Sequence, residues 1–226
     1  MFRHRSLFAV AIAGALLAAC QHAPAPAKQS SDDTDVLEQA MAKEVKTHGK
    51  YAPSAAFKAK ADELGLRMME RILSKCVDAT GAESIGACYH ERMLQGFDTD
   101  GTIKSHCPQR DDLEADMKCI VLGGIGHELA TKMGKNAPTS FDWSDPETSA
   151  NKVAMAFVLQ QVRDCLSNGA ASDPKDCVTA RFTKALDLTS SDLEPCNALI
   201  DEDFKYGQCI GEAFSYKYMS TAIARM

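Results

Sequence analysis

The 226-residue chain is most informative first in what it lacks. No stretch alternates apolar and polar residues long enough to make a convincing strand, which excludes a sheet-based fold. There is no basic stripe, so nucleic-acid binding is not expected. Gly-x-Ser-x-Gly, His-Glu-x-x-His and Walker-type sequences are all missing, and with them the commonest hydrolase, metalloprotease and nucleotide-binding machinery. The one long apolar run, Leu7 to Leu17, is too short to span a bilayer as a mature helix. Only one tryptophan is present.

That apolar run follows Arg3, His4 and Arg5 and closes with Leu17-Ala18-Ala19-Cys20. A basic start, a short apolar core and small residues before a cysteine resemble the lipobox of bacterial lipoproteins. The resemblance implies cleavage before Cys20, acylation of its thiol and removal of residues 1–19. Gln21, rather than an aspartate, follows the cysteine, so outer-membrane sorting with the domain facing the periplasm is expected. Cleavage leaves 23 Lys and Arg against 31 Asp and Glu, a formal charge of −8. Residues 20–52 then form a lipidated tether, poor in apolar area through Thr34. Within it, Val36 to Lys46 is amphipathic and either packs as a helix or stays part of the tether.

Nine cysteines less Cys20 leave eight, the even number an oxidising compartment favours. Cys76, Cys88, Cys107 and Cys119 are separated by 11, 18 and 11 residues, and Cys165, Cys177, Cys196 and Cys209 by 11, 18 and 12. Three of the four therefore recur at an offset of 89 and the last at 90. Arg92 and Arg181, Asp98 and Asp187, Met93 and Phe182, and Phe97 and Leu186 obey the same offset. This is an internal duplication. It predicts two helical modules, 53–134 and 145–226, joined by a linker over 135–144. Trp143 in that linker is expected to pack in the seam between modules.

Periodicity predicts about three helices per module, in an all-α fold with the modules packed together. Phe57, Ala61, Leu64, Met68, Ile72 and Cys76 share one helical face after Pro53-Ser54. Ser84 is read as the cap of a second helix, and Asp111 or Asp112 as the start of a third that Gly134 stops. In module two, Asp145-Pro146 and Asp173-Pro174 each place a cap before a first-turn proline. The last helix is expected from about Asn197. Four cysteines per module allow three pairings. With a helix starting near Asp111, Cys107 and Cys119 look too far apart along its axis to bridge. The reading leans to the nested pairing, Cys76–Cys119 with Cys88–Cys107, and Cys165–Cys209 with Cys177–Cys196.

Few residues suggest chemistry. Asp98-Thr99-Asp100-Gly101 resembles the middle of an EF-hand loop, but its end positions fall on Gly96 and Cys107, which lack the required carboxylates. His90, His106 and His127 are metal candidates that the second copy replaces with Thr179, Pro195 and Lys217. Gly123-Gly124-Ile125-Gly126 lies in an apolar helical pattern and is read as a close-packing site or a kink, not a phosphate loop. Neither a catalytic residue, a metal site nor a cofactor is expected.

The run Cys88-Tyr89-His90-Glu91-Arg92-Met93-Leu94-Gln95-Gly96-Phe97-Asp98, followed by His106-Cys107-Pro108, resembles the Rap/Tai class of immunity proteins. The likeness covers about 45 residues of module one. Module two keeps the cysteines but has Ala185 for the glycine and Asn197 for the proline. It implies a small exported helical protein that neutralises a cell-wall-degrading effector. The expected function is thus a non-enzymatic lipoprotein that binds and inhibits a toxic secreted hydrolase. The alternative is a structural or assembly lipoprotein bound to another envelope component. Contact with the protein partner is expected from the polar loops 98–105 and 187–194, through Asp98, Asp100, Asp187 and Asp192.

Overall fold

A computed structural model describes residues 55–78, 81–137, 141–167, 174–199 and 203–226. Cys20, the tether over 20–52, the Val36–Lys46 stretch, Pro53-Ser54 and Asp173 lie outside the described residues. Within them the chain is all-α, as expected, and holds no strand. None of the described helices is long and apolar enough to cross a membrane.

Eight α-helices follow in order: α1 Ala55–Lys75, α2 Ala82–Phe97, α3 Thr102–His106, α4 Leu113–Met133, α5 Pro146–Ser167, α6 Pro174–Ala185, α7 Ser190–Leu193 and α8 Asp203–Arg225. Short 3-10 turns cover Gly134–Asn136 and Glu194–Leu199. Several boundaries follow directly from local chemistry. The Asp112 side chain accepts hydrogen bonds from the Glu114 and Ala115 amides and starts α4. Asp145 does the same for the Thr148 amide at 3.1 Å, ahead of Pro146. Two boundaries differ from expectation. Helix α2 begins at Ala82, with Gly81 as a cap that offers no side-chain bond, so Ser84 lies inside the helix. The region around Asn197 forms a 3-10 turn and α8 starts only at Asp203.

The disulfides join neighbours: Cys76–Cys88, Cys107–Cys119, Cys165–Cys177 and Cys196–Cys209, with Cα separations of 5.6–5.9 Å. All eight expected cysteines are paired, but the nested connectivity is wrong. The axial argument failed because Cys107 is not on the axis of α4. It ends α3, and the five residues that follow reverse the chain, bringing it beside the second turn of α4. Cys76 and Cys88 obey the same rule across the α1–α2 turn: each helix end is stapled to the second turn of the next helix.

Packing divides the chain into two compact units. Among the described residues, one comprises 58–153 with 215–226, the other 154–214 with 55–57. In the first, α2 packs on α4, and Tyr89, Met93, Phe97, Ile120, Ile125 and Leu129 are buried. The last half of α8 completes this core. Ala222 and Met226 close on the bare Cα of Gly96, and the Arg225 side chain donates to the Gly96 carbonyl at 2.9 Å. The Phe97 and Tyr218 rings meet at 5.8 Å. In the second unit, Phe157, Val178, Phe182 and Ile210 are buried, and the Phe157 and Phe182 rings meet edge to face at 5.7 Å.

The Gly123-Gly124-Ile125-Gly126 run is a close-packing site. A Cβ at 123 would enter the Trp143 ring, one at 124 the Tyr218 hydroxyl, and one at 126 the Phe141 ring. Three aromatic side chains thus approach one helix closer than any other residue would permit. Gly126→Val is expected to cost about 2 kcal/mol or more by overpacking. Gly65→Ala, where a Cβ meets nothing within 4 Å, is expected to stabilise α1 by about 0.5 kcal/mol. Urea unfolding of the two variants beside the parent checks both signs.

Candidate partner-binding loops

The first expected loop lies between α2 and Cys107. Helix α2 stops at Phe97, and the Asp98 carboxylate turns back to accept from the Ile103 amide at 3.1 Å and the Lys104 amide at 2.9 Å. Asp100 accepts from the Thr102 amide at 2.9 Å. Between them Gly101 adopts φ 84, a conformation that any Cβ penalises. These bonds nucleate α3, which is too short to hold itself together.

The loop is then fixed from outside. The second Asp100 oxygen meets His127 Nε2 of α4 at 2.8 Å. The His106 ring stacks on Trp143 at 4.7 Å between centroids, 17° from parallel, and Phe141 lies 4.6 Å from Trp143 on its other contact. Cys107–Cys119 closes the end of the loop onto α4. Trp143, expected in a seam between modules, is held by α4, His106 and Phe141, all of its own unit. Thr99, Asp100, Lys104 and Ser105 remain exposed. Beside them an open groove of about 510 Å³ runs along the outer face of α2, lined by Glu91, Arg92, Gln95, Asp98 and Lys104 among others. Its charges are mixed: Arg92 bonds Gln95 at 2.6 Å and Lys104 stands 3.8 Å from Glu91.

The second loop belongs to the other compact unit. Asp187 sits in the left-handed region at φ 54 just after α6, exposed. Asp192 and Thr189 form a reciprocal capping box that starts α7, with bonds of 2.8 and 3.3 Å. The four aspartates proposed for partner contact are therefore placed differently. Asp98 and Asp192 are spent on the backbone of their own loops. Asp100 and Asp187 are exposed, and Asp100 is itself bonded to the Thr102 amide and to His127.

The three histidines of module one all have assigned places. His106 and His127 brace the loop. His90 is buried, its Nδ1 2.9 and 3.0 Å from the two oxygens of Asp116, which is 1 % exposed. Burial, and then the nearby Asp116 charge, push the Tyr89 hydroxyl up to about 12. Among the described residues no group of three or more His, Cys, Asp or Glu side chains is placed to hold a metal ion. Sequence reading missed the acid partners of His90 and His127, because Asp116 and Asp100 lie 26 and 27 residues away along the chain.

The Asp100 contact makes the loop acid-sensitive. Its carboxyl is held down at about 2, first by the Thr102 amide and then by His127. A carboxyl depressed on folding stabilises above its unfolded value and loses that contribution as pH falls through the folded one. The Asp100 contribution to loop order should therefore be full above about pH 4 and lost toward about pH 2. Asp100→Asn should flatten that acid limb, read from the His127 and Trp143 ring resonances by NMR.

No family model matches the chain, and no curated protein or solved structure matches it.

Proposed function

We propose that this chain is a lipid-anchored, periplasm-facing lipoprotein of the outer membrane that binds and blocks a toxic secreted hydrolase, without catalysing a reaction itself. The observation that carries the reading is the 98–106 loop. Backbone caps, the Asp100–His127 pair, the His106–Trp143 stack and Cys107–Cys119 all hold it, while its outer face stays polar and exposed. A surface ordered before it meets its partner loses little conformational entropy on binding. The adjoining groove along α2 extends the contact area with charges of both signs, which suit specificity and registration. Lipidation at Cys20 would hold the inhibitor where an incoming wall-degrading enzyme acts.

The test is capture of a secreted hydrolase by the chain without its lipid anchor, residues 21–226, from an envelope and secretome extract, followed by assay of the captured enzyme. A one-to-one complex that abolishes wall hydrolysis, and that Lys104→Glu weakens, supports the reading. Capture of resident envelope proteins alone, with no inhibition of any hydrolase, moves the assignment to an assembly lipoprotein.

A further inference from the structure

The two copies treat one position in opposite ways. In module two, Asp164 of α5, just before Cys165, pairs with Arg181 of α6, four residues after Cys177. The Cys165–Cys177 bridge stands beside both partners, with its Cα atoms 5.9 Å apart. At the offset of 89, the same places in module one are Lys75, just before Cys76, and Arg92, four residues after Cys88. Cys76–Cys88 holds α1 to α2 with a Cα separation of 5.8 Å, so the staple is the same. The arginine is kept, and a lysine stands where its carboxylate was.

Nearby charges do not make up the loss. Arg71 lies one turn before Lys75 on α1, and Asp78 follows three residues after it. On the α2 side stand Glu91, Asp98 and Lys104. Glu91 faces Lys104 at 3.8 Å, and Asp98 gives both oxygens to the Ile103 and Lys104 amides. Among the described residues no carboxylate pairs with Arg71, Lys75 or Arg92, and Arg92 bonds only the neutral Gln95. Cations outnumber acids here, in a chain whose formal charge is −6. Arg92 and Cys88 both line the open groove along α2.

We propose that Lys75 and Arg92 form a carboxylate clamp beside Cys88 in the α2 groove, filled by an aspartate or glutamate side chain of a protein partner. The incoming carboxylate takes the place that Asp164 holds in the other copy. Arginine offers a planar fork of donors and lysine a compact charge, and the two together suit one carboxylate. Asp164 and Arg181 have side chains 37 and 38 % exposed, so this position lies at the surface, within a partner's reach. One copy closes the position on itself, and the other leaves it open. The proposal rests on the α2 groove as the contact face of the inhibitor reading, and it adds the chemistry of the residue that enters.

Titration of residues 21–226 with blocked tetraglutamate peptide at low salt, followed by NMR, tests the clamp. The Arg92 Nε–Hε signal should shift saturably, with an affinity that falls as salt is added. Arg92→Gln should weaken binding about threefold, and Lys75→Asp about tenfold because its carboxylate also occupies Arg92. Lys75→Asp should move the Arg92 signal even without peptide, as the pair of module two is recreated. Lys135→Gln, in the turn after α4, should change nothing. An Arg92 signal indifferent to Lys75→Asp, a titration that does not saturate, or equal weakening by Lys135→Gln overturns the proposal. A captured hydrolase held equally well by Lys75→Asp also overturns it, while the inhibitor reading stands. Peptide binding without capture of any hydrolase does the reverse.

Discussion

Asp116→Ala should destabilise the unit built from 58–153 and 215–226 by about 3 kcal/mol, the largest effect expected of any single substitution outside the disulfides. Asp116 lies in the first turn of α4, 1 % exposed, with both carboxylate oxygens on His90 Nδ1. The position is favourable for an anion, because the unpaired amides at a helix start carry partial positive charge. Truncation leaves a buried imidazole without its partner and opens a hole beneath α2, and each is costly in a dry interior. Asp116→Asn keeps an acceptor at the same place and should lose roughly 1 kcal/mol. Urea unfolding of the three proteins separates the pair's geometry from its charge. A loss below about 1 kcal/mol for the alanine variant would mean that His90 finds another partner at little cost.

Replacing Cys107 and Cys119 together by serine should cost about 3 kcal/mol, from the entropy returned to an unfolded chain freed of a 13-residue loop. In a chain of this size that is a fall in Tm of roughly 6–12 °C. The effect should also be local in a readable way. Cys107 ends the loop whose His106 stacks on Trp143, and Trp143 is the only tryptophan. Its fluorescence should therefore shift before global unfolding in the variant and together with it in the parent. An unchanged tryptophan signal would show that the ring stack and Asp98 caps hold the loop without the disulfide. Peptide mapping without reduction is a companion check. It should recover Cys76 with Cys88 and Cys107 with Cys119, and no crossed pair.

The residues explain unevenly how much of this was legible beforehand. Helix starts at Asp112 and Pro146 could be read because a cap acts on amides two or three residues away. The glycine run of α4 could be read as a packing site, but not what packs there, because Trp143, Phe141 and Tyr218 arrive from elsewhere in the chain. Asp98 and Asp192 looked like exposed recognition residues. Both bond amides of their own loops, a use that sequence composition cannot distinguish from surface polarity. The bracing of the loop by His127 and Trp143 had no signal, since Lys217 stands in place of His127 in the second copy and Trp143 lies in the linker, outside both copies.

From the sequence alone it follows that the chain is helical, that it carries a duplication, that eight cysteines pair among themselves and where α4 and α5 begin. Those properties rest on periodicity, on the repeat of spacings and on contacts spanning a few residues. Only the tertiary structure decided which cysteines meet, that His90 is buried against Asp116, and that Ser215–Met226 joins the unit of 58–153. Each of these depends on where the chain reverses and on which helix faces fit. Such outcomes come from packing between distant segments, for which no local pattern of residues is a sufficient code.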